Sequence, residues 1–148
     1  IRQMAQWITP GESVVDLGCG QSWLKEFLPE NSNYTGVDYM KRDENTIVCN
    51  FNSDPFPLLK GDCAFISGCL EYIEHPEHFI KEVSKQYKKC IISYCTLEEF
   101  PDLKQRENLF WKNNLTKKQL IDLFISNGYT LKDESKTSTQ NSIFQFNK

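Results

Sequence analysis

Residues 14–22 read VVDLGCGQS, two glycines around a cysteine directly behind a short apolar run. Three kinds of chemistry suit such a turn: a nucleotide-type cradle, a redox or metal-binding cysteine, or a chain reversal with no ligand. Glycine lets a backbone approach a ligand closely, and a helix starting just beyond offers free N–H groups to a carboxylate or phosphate. Asp38, in GVDY, sharpens the first reading, because it falls 18 residues after Gly20, about the separation at which an acid grips ribose hydroxyls. The cysteines point elsewhere. Those at 19, 49, 63, 69, 90 and 95 form no CxxC pair and have no histidine at zinc-finger spacing, so no metal site is expected. They read as small buried thiols of a reducing compartment.

A dinucleotide fingerprint, GxGxxG, needs a third glycine at position 23, where this chain has Trp23, so NAD is disfavoured. No GK[ST] follows the turn, which excludes a phosphate-binding P-loop. Acid–base candidates lie further on, at Glu71, His75 and His78. His75 stands just before Pro76, and an imidazole titrates near working pH, as a general base must. Glu71, inside LEYIEH, reads as a group that orients backbone or frames a cofactor.

The elements that must hold these residues follow from apolar periodicity. Residues 13–17 (SVVDL) are a buried strand stopping at glycine, and Trp23, Leu24, Phe27 and Leu28 then recur at helical spacing until Pro29. Strands are also expected at 34–38, 46–51, 62–67 and 89–95, with only loops after the second and third. Residues 76–87 form an amphipathic helix led by Pro76, and 116–128 a helix with Thr116 and Gln119 as a capping box and Gly128 as terminator. Residues 129–135 and 141–147 alternate and read as a closing hairpin. Strands alternating with helices, then two strands in succession, imply a mainly parallel sheet with an antiparallel edge. Residues 96–115 are a long loop or short irregular helix, and such loops in compact domains are usually functional.

At 148 residues, 39% hydrophobic and 25% charged, the chain is of a size and composition for one globular domain. It begins with Ile rather than Met, the mark of a chain trimmed at its start or of one part of something longer, so 1–148 is read as a single domain whose upstream elements stay open. A net charge of −3 without a basic stripe makes nucleic acid a poor partner. The absence of a long apolar run and of a signal-peptide order argues against a membrane and for a cytoplasmic protein.

With those elements in place, residues 14–21 (VVDLGCGQ), 36–38 (GVD), 49–57 (CNFNSDPFP) and 62–76 (DCAFISGCLEYIEHP) resemble the motifs of class I S-adenosylmethionine-dependent methyltransferases. The resemblance runs from Gly11 to the last strands. It implies a Rossmann-like, doubly wound α/β fold with a seven-stranded, mainly parallel sheet in the order 3-2-1-4-5-7-6 and one antiparallel strand, here a compact version with shortened helices after strands 2 and 3. It implies S-adenosylmethionine as cofactor. Gly18, Cys19 and Gly20, with Gln21 completing the turn, would line its methionine end, and Asp16 would support the turn. Asp38 would hold the ribose, Tyr39 and Met40 would flank the adenine, and Asn50 by side chain and Phe51 by backbone N–H would meet the adenine edge. Gly68, Cys69 and Leu70 would close the pocket under the sulfonium, with His75 as catalytic base. The chain departs from the family at Ser22, where many members have a third glycine, and at Asn50, where many have an acid; an Asn carbonyl still accepts from the adenine amino group.

The implied activity is methyl transfer to a small polar acceptor such as a sugar or another small metabolite. Its contacts would come from Glu98, Glu99, Arg106, Phe110, Trp111 and Asn113 in the 96–115 loop. A methyltransferase-like binding module without catalysis is the competing reading, since fold alone does not fix function.

Overall fold

The computed structural model describes residues 1–139 and 141–148. Its strands are β1 (Ser13–Leu17), β2 (Asn33–Asp38), β3 (Ile47–Val48), β4 (Cys63–Ile66), β5 (Lys89–Tyr94), β6 (Thr130–Lys136) and β7 (Ser142–Asn147). They form one sheet in the order β3-β2-β1-β4-β5-β7-β6. Strands β1 to β5 pair in parallel, and β7 runs antiparallel to both neighbours. The antiparallel strand is therefore not at the edge, as alternation alone suggests. It is inserted between β5 and an exposed β6, the position implied by the family resemblance.

The central strands are continuous apolar runs because both of their faces are covered. One face carries α2 (Pro76–Gln86) and α4 (Lys117–Ser126). Phe79, Ile80 and Val83 of α2 pack beside Val15, Ala64 and Ile92, while Phe124 of α4 stacks on Phe146 at 4.0 Å. Both halves of the Thr116–Gln119 capping box are present, which fixes the start of α4. The other face is thinner: the short α1 (Arg2–Ala5) and a single 3-10 turn, Trp23–Phe27, cover Val14, Phe65 and Ile91.

Two expectations shorten. The helix read from Trp23 onward is only that 3-10 turn: Ser22 enters it in a left-handed conformation, Leu28 leaves it extended ahead of Pro29, and Trp23 is 61% exposed while Leu24 alone is buried. The third strand stops at Val48, because residues 50–54 curl into a turn in which the Asn50 N–H donates to Asp54 Oδ2 and the Asp54 N–H to the Asn50 carbonyl, both at 2.8 Å. The 96–115 segment contains a helix, α3 (Leu103–Asn108), capped by Asp102, whose Oδ1 accepts from the Gln105 N–H. Among the described residues no helix is long and apolar enough to cross a membrane.

The sheet order reverses between β1 and β4, so the crevice over their carboxyl ends is where an open α/β sheet receives a ligand.

Candidate active site

The turn after β1 is shaped by a close approach. Gly18 has φ +84°, and a Cβ there would lie 2.6 Å from both Cβ and Sγ of Cys69, so no side chain fits. The Gly18 and Cys19 N–H groups both donate to the Val37 carbonyl, at 2.8 and 2.9 Å, tying the turn to β2. Ser22 adopts φ 58° and ψ 31°, the left-handed state that a third glycine would take without strain. Ser22 thus holds a left-handed backbone at a cost of about 1 kcal/mol.

Two carboxylates face the turn. Asp38 is 4% exposed and fully engaged: Oδ2 accepts from the Gly20 N–H at 2.9 Å, while Oδ1 accepts from the Met40 N–H and from Nε and Nη2 of Arg42, each at 3.1 Å. Asp16 is also buried, and its Oδ2 accepts from the Tyr34 hydroxyl at 2.9 Å. Burial pushes the Asp16 carboxyl up to about 7; the Tyr34 bond opposes the shift and the Asp38 charge adds to it. Burial and the Asp16 charge raise the Tyr34 phenol in turn. Gly36 makes the contact possible, because a Cβ there would come within 3.1 Å of the Tyr34 hydroxyl.

The opposite wall comes from the turn after β4 and from residues 50–52. The Gly68 N–H donates to Ser93 Oγ at 3.0 Å, and Cys69 packs against Gly18. Burial raises the thiols of Cys19 and Cys69, which makes them lining groups rather than nucleophiles. Asn50 Oδ1 accepts from the Asn52 N–H at 3.0 Å, so part of its acceptor capacity is used within its own turn. The Phe51 ring packs on Phe56 and Phe79. Among the described residues, the Phe51 N–H donates to no protein group.

These walls enclose one cavity of about 860 Å³, in the usual range of about 300–1,000 Å³ for small-molecule sites. Of the residues singled out from sequence, Asp16, Gly18, Cys19, Gly20, Gln21, Asp38, Tyr39, Asn50, Phe51, Gly68 and Cys69 line it. Three do not. Leu70 is fully buried and faces the hydrophobic core, and Met40 meets the site only through its N–H to Asp38. His75 stands exposed at the start of α2, outside the cavity, with no side-chain capping bond. Proximity in sequence to the fourth strand misled here: the intervening 3-10 turn, Leu70–Tyr72, carries the chain away and presents Tyr72 and Ile73 to the cavity instead. Among the described residues no imidazole lines the cavity.

A family model described as "Methyltransferase domain" matches residues 1–130. The chain belongs to this family. The family's methyl donor is S-adenosylmethionine. No curated protein matches the sequence. Solved methyltransferase structures share the fold. An S-adenosylmethionine-dependent methyltransferase from Mesorhizobium loti superposes with a TM-score of 0.76 at 13% identity, over 99% of this chain and 96% of that one. A chain in the complex of the Haloferax volcanii Trm112 methyltransferase activator with a methyltransferase gives 0.81 at 11% identity, over 99% and 86%. The magnesium protoporphyrin IX methyltransferase of Synechocystis PCC 6803, solved with S-adenosylhomocysteine, gives 0.70 at 16% identity, over 94% and 75%. At such identities the likeness is one of fold.

The residues of this methyltransferase-family chain fit the donor on structural grounds. Gly18 leaves no side chain between the turn and Cys69, nothing lies within 4 Å of a Cβ built on Gly20, and a buried carboxylate stands at the end of β2. Two residues at the donor end escaped the sequence reading. Arg42 holds Asp38 and lies 5.6 Å over the Tyr39 ring; its signal was the i,i+4 spacing from Asp38. Asn52 clamps the 70–74 turn, its Nδ2 donating to the Tyr72 carbonyl and its Oδ1 accepting from the Glu74 N–H, both at 2.9 Å; nothing local in sequence marks it.

The acceptor end differs most from expectation. Of the six loop residues expected to contact the acceptor, only Phe110 lines the cavity. Arg106 is 1% exposed and donates to the carbonyls of Cys95, Thr96, Phe100 and Asn113, to Asn114 Oδ1 and to the Tyr94 hydroxyl. Trp111 lies under its guanidinium at 4.7 Å. Asn113 Nδ2 bonds the carbonyls of Leu70 and Ile73 at 2.7 and 2.9 Å. Glu98 meets the Lys117 N–H, and Glu99 meets Thr96 and Ser142. Glu71 orients backbone, its Oε1 accepting from the Cys95 N–H at 2.9 Å. These polar groups strap the loop down.

Proposed function

We propose that this chain is an active S-adenosylmethionine-dependent methyltransferase, a single cytoplasmic domain that transfers a methyl group to a small polar acceptor and has no nucleic-acid partner. The observation that carries the reading is that Asp38, Asp16 and the Gly18–Gly20 turn border one cavity of about 860 Å³ with an aromatic rim. When bound, S-adenosylmethionine supplies an electrophilic methyl group on sulfur, and the transfer then depends on alignment of donor and acceptor.

The Gly18–Gln21 backbone would receive the methionine end, with Asp16 facing its ammonium. Asp38 would receive the ribose hydroxyls. Tyr39 would cover the adenine, and the Phe51 N–H together with Asn50 would read its edge. Gly68 and Cys69 would close the cavity on the sulfonium side. With no imidazole on the cavity wall among the described residues, the best match is an acceptor atom already ionised, which has no proton to lose, or a neutral atom with a free lone pair, which would pass its proton to water after the transfer. A net charge of −3 speaks against binding of a phosphate backbone.

Calorimetric titration with S-adenosylmethionine and with NAD, followed by a search for methylated product, tests the proposal. Donor binding with turnover is expected. Donor binding without turnover on any acceptor would instead favour a module that only binds, and binding of neither cofactor would remove the reading altogether.

A further inference from the structure

The cavity carries an exposed aromatic ring at the end of α3. Phe110 has φ 62°, a left-handed conformation that a bulky side chain rarely adopts, and its ring is 76% exposed. Phe110 is the residue after the C-cap of α3, and the pair of bonds that ends this helix holds it in that conformation: its N–H donates to the Glu107 carbonyl at 2.8 Å and that of Trp111 to Arg106 at 3.1 Å. The Lys112 N–H then donates to the Glu71 carbonyl at 2.7 Å. Trp111 is locked between Arg106 and Phe100. The helix end thus fixes the backbone of Phe110, and its exposed ring stands on the cavity lining.

The Lys112–Glu71 bond also brings Lys112 beside Tyr72, another exposed aromatic on the same wall. Lys112, exposed and lining the cavity, has no ion pair among the described residues. The carboxylates lining the cavity, Asp16 and Asp38, belong to the donor end and are already bonded. The groups that would read the hydroxyls of a sugar, Glu98, Glu99 and Asn113, are spent on the loop itself. Besides Tyr39, the exposed aromatic residues on the cavity lining are Trp23, Tyr72 and Phe110, and Lys112 is the neighbouring cation of the last two.

We propose that the acceptor is a planar aromatic molecule bearing a carboxylate, its ring held by Phe110 and Tyr72 and its anion by Lys112. This inference rests on the methyltransferase reading above and names the substrate class of that same site. Aromatic faces pair favourably with a planar ring, and a charge-assisted bond from Lys112 separates an acid from its neutral amide.

Calorimetry with 2-naphthoate and its neutral counterpart 2-naphthamide, each with saturating S-adenosylhomocysteine, tests it. Naphthoate should bind about fivefold or more tightly than naphthamide, and Lys112→Met should erase that preference while leaving S-adenosylhomocysteine affinity unchanged. Phe110→Gly, which suits the left-handed backbone, should keep or raise the Tm while weakening both arenes about tenfold. A ring serving only the fold would give the reverse, a lower Tm with unchanged arene binding. Equal binding of acid and amide, no binding of either, or a preference that survives Lys112→Met would overturn the proposal. Failure of S-adenosylhomocysteine to bind would instead strike the methyltransferase reading, so the two failures are distinct.

Discussion

On the donor side of the cavity the contacts are made by backbone and by carboxylates at strand ends: Gly18 and Cys19 bonded to Val37, Gly20 to Asp38, Tyr34 to Asp16. On the acceptor side one long segment is strapped to a distant turn by side chains, with Asn113 reaching the carbonyls of Leu70 and Ile73 and Arg106 gathering those of Cys95, Thr96 and Phe100. The first arrangement is inseparable from the sheet. The second is an attachment, so the two ends can be disturbed one at a time.

The sharpest way to break that division is Arg106→Met. It leaves four carbonyls without their shared donor, and loss of so connected a buried cation should cost about 3–5 kcal/mol. Urea unfolding should show this loss, and limited proteolysis should cut within residues 96–115 before the sheet unfolds. Equal protection of loop and sheet would mean that the strap is no separate unit.

Asp16 offers a test on the donor side. Its carboxyl sits near 7 in the fold against 3.8 when free, so the folded protein holds an extra proton between those values. Its contribution to stability is therefore complete below pH 4 and is lost as pH rises through about 7, amounting to as much as about 4 kcal/mol. Denaturation of the donor-free protein across pH 4–8 should show this slope, and Asp16→Asn should flatten it. Donor affinity should run the other way, rising with pH through 7 as the ionised carboxylate meets the ammonium.

Gly18→Ala should cost about 2–3 kcal/mol, the sum of a left-handed alanine and a methyl group driven into Cys69. The Tm should fall and donor affinity with it, while the 96–115 loop keeps its protease resistance. Smallest of all, Ser22→Gly should raise stability by about 0.5–1 kcal/mol by relieving the left-handed serine, a shift of a few degrees in Tm.

The same division explains what could be read from sequence. Strands β1, β4 and β5 were legible because burial on both faces leaves continuous apolar runs, and the glycine turn because a residue type is forced where no Cβ fits. Asp38 was legible by its position at a strand end. β3 was overextended because Cys49 and Phe51 are apolar for the core beside it, while the turn that ends the strand is set by Asn50 and Asp54. Trp23 kept helical spacing with Leu24 and Phe27, yet only one turn forms between Ser22 and Pro29, so its ring points to the cavity and not the core. The acceptor end was opaque. Arg106 and Asn113 look like ordinary surface residues until tertiary contacts give them carbonyls to bond, and His75 looked catalytic from neighbours that the 3-10 turn carries elsewhere.

The central claim is that the donor binds at the glycine turn against Asp38. Calorimetric titration of S-adenosylmethionine into the wild-type protein and into Asp38→Ala tests it most directly. One-to-one binding, weakened by about 1–3 kcal/mol in a folded variant through lost charge-assisted bonds, is the predicted result. Absence of binding to the wild type, or unchanged affinity in the folded variant, would contradict it.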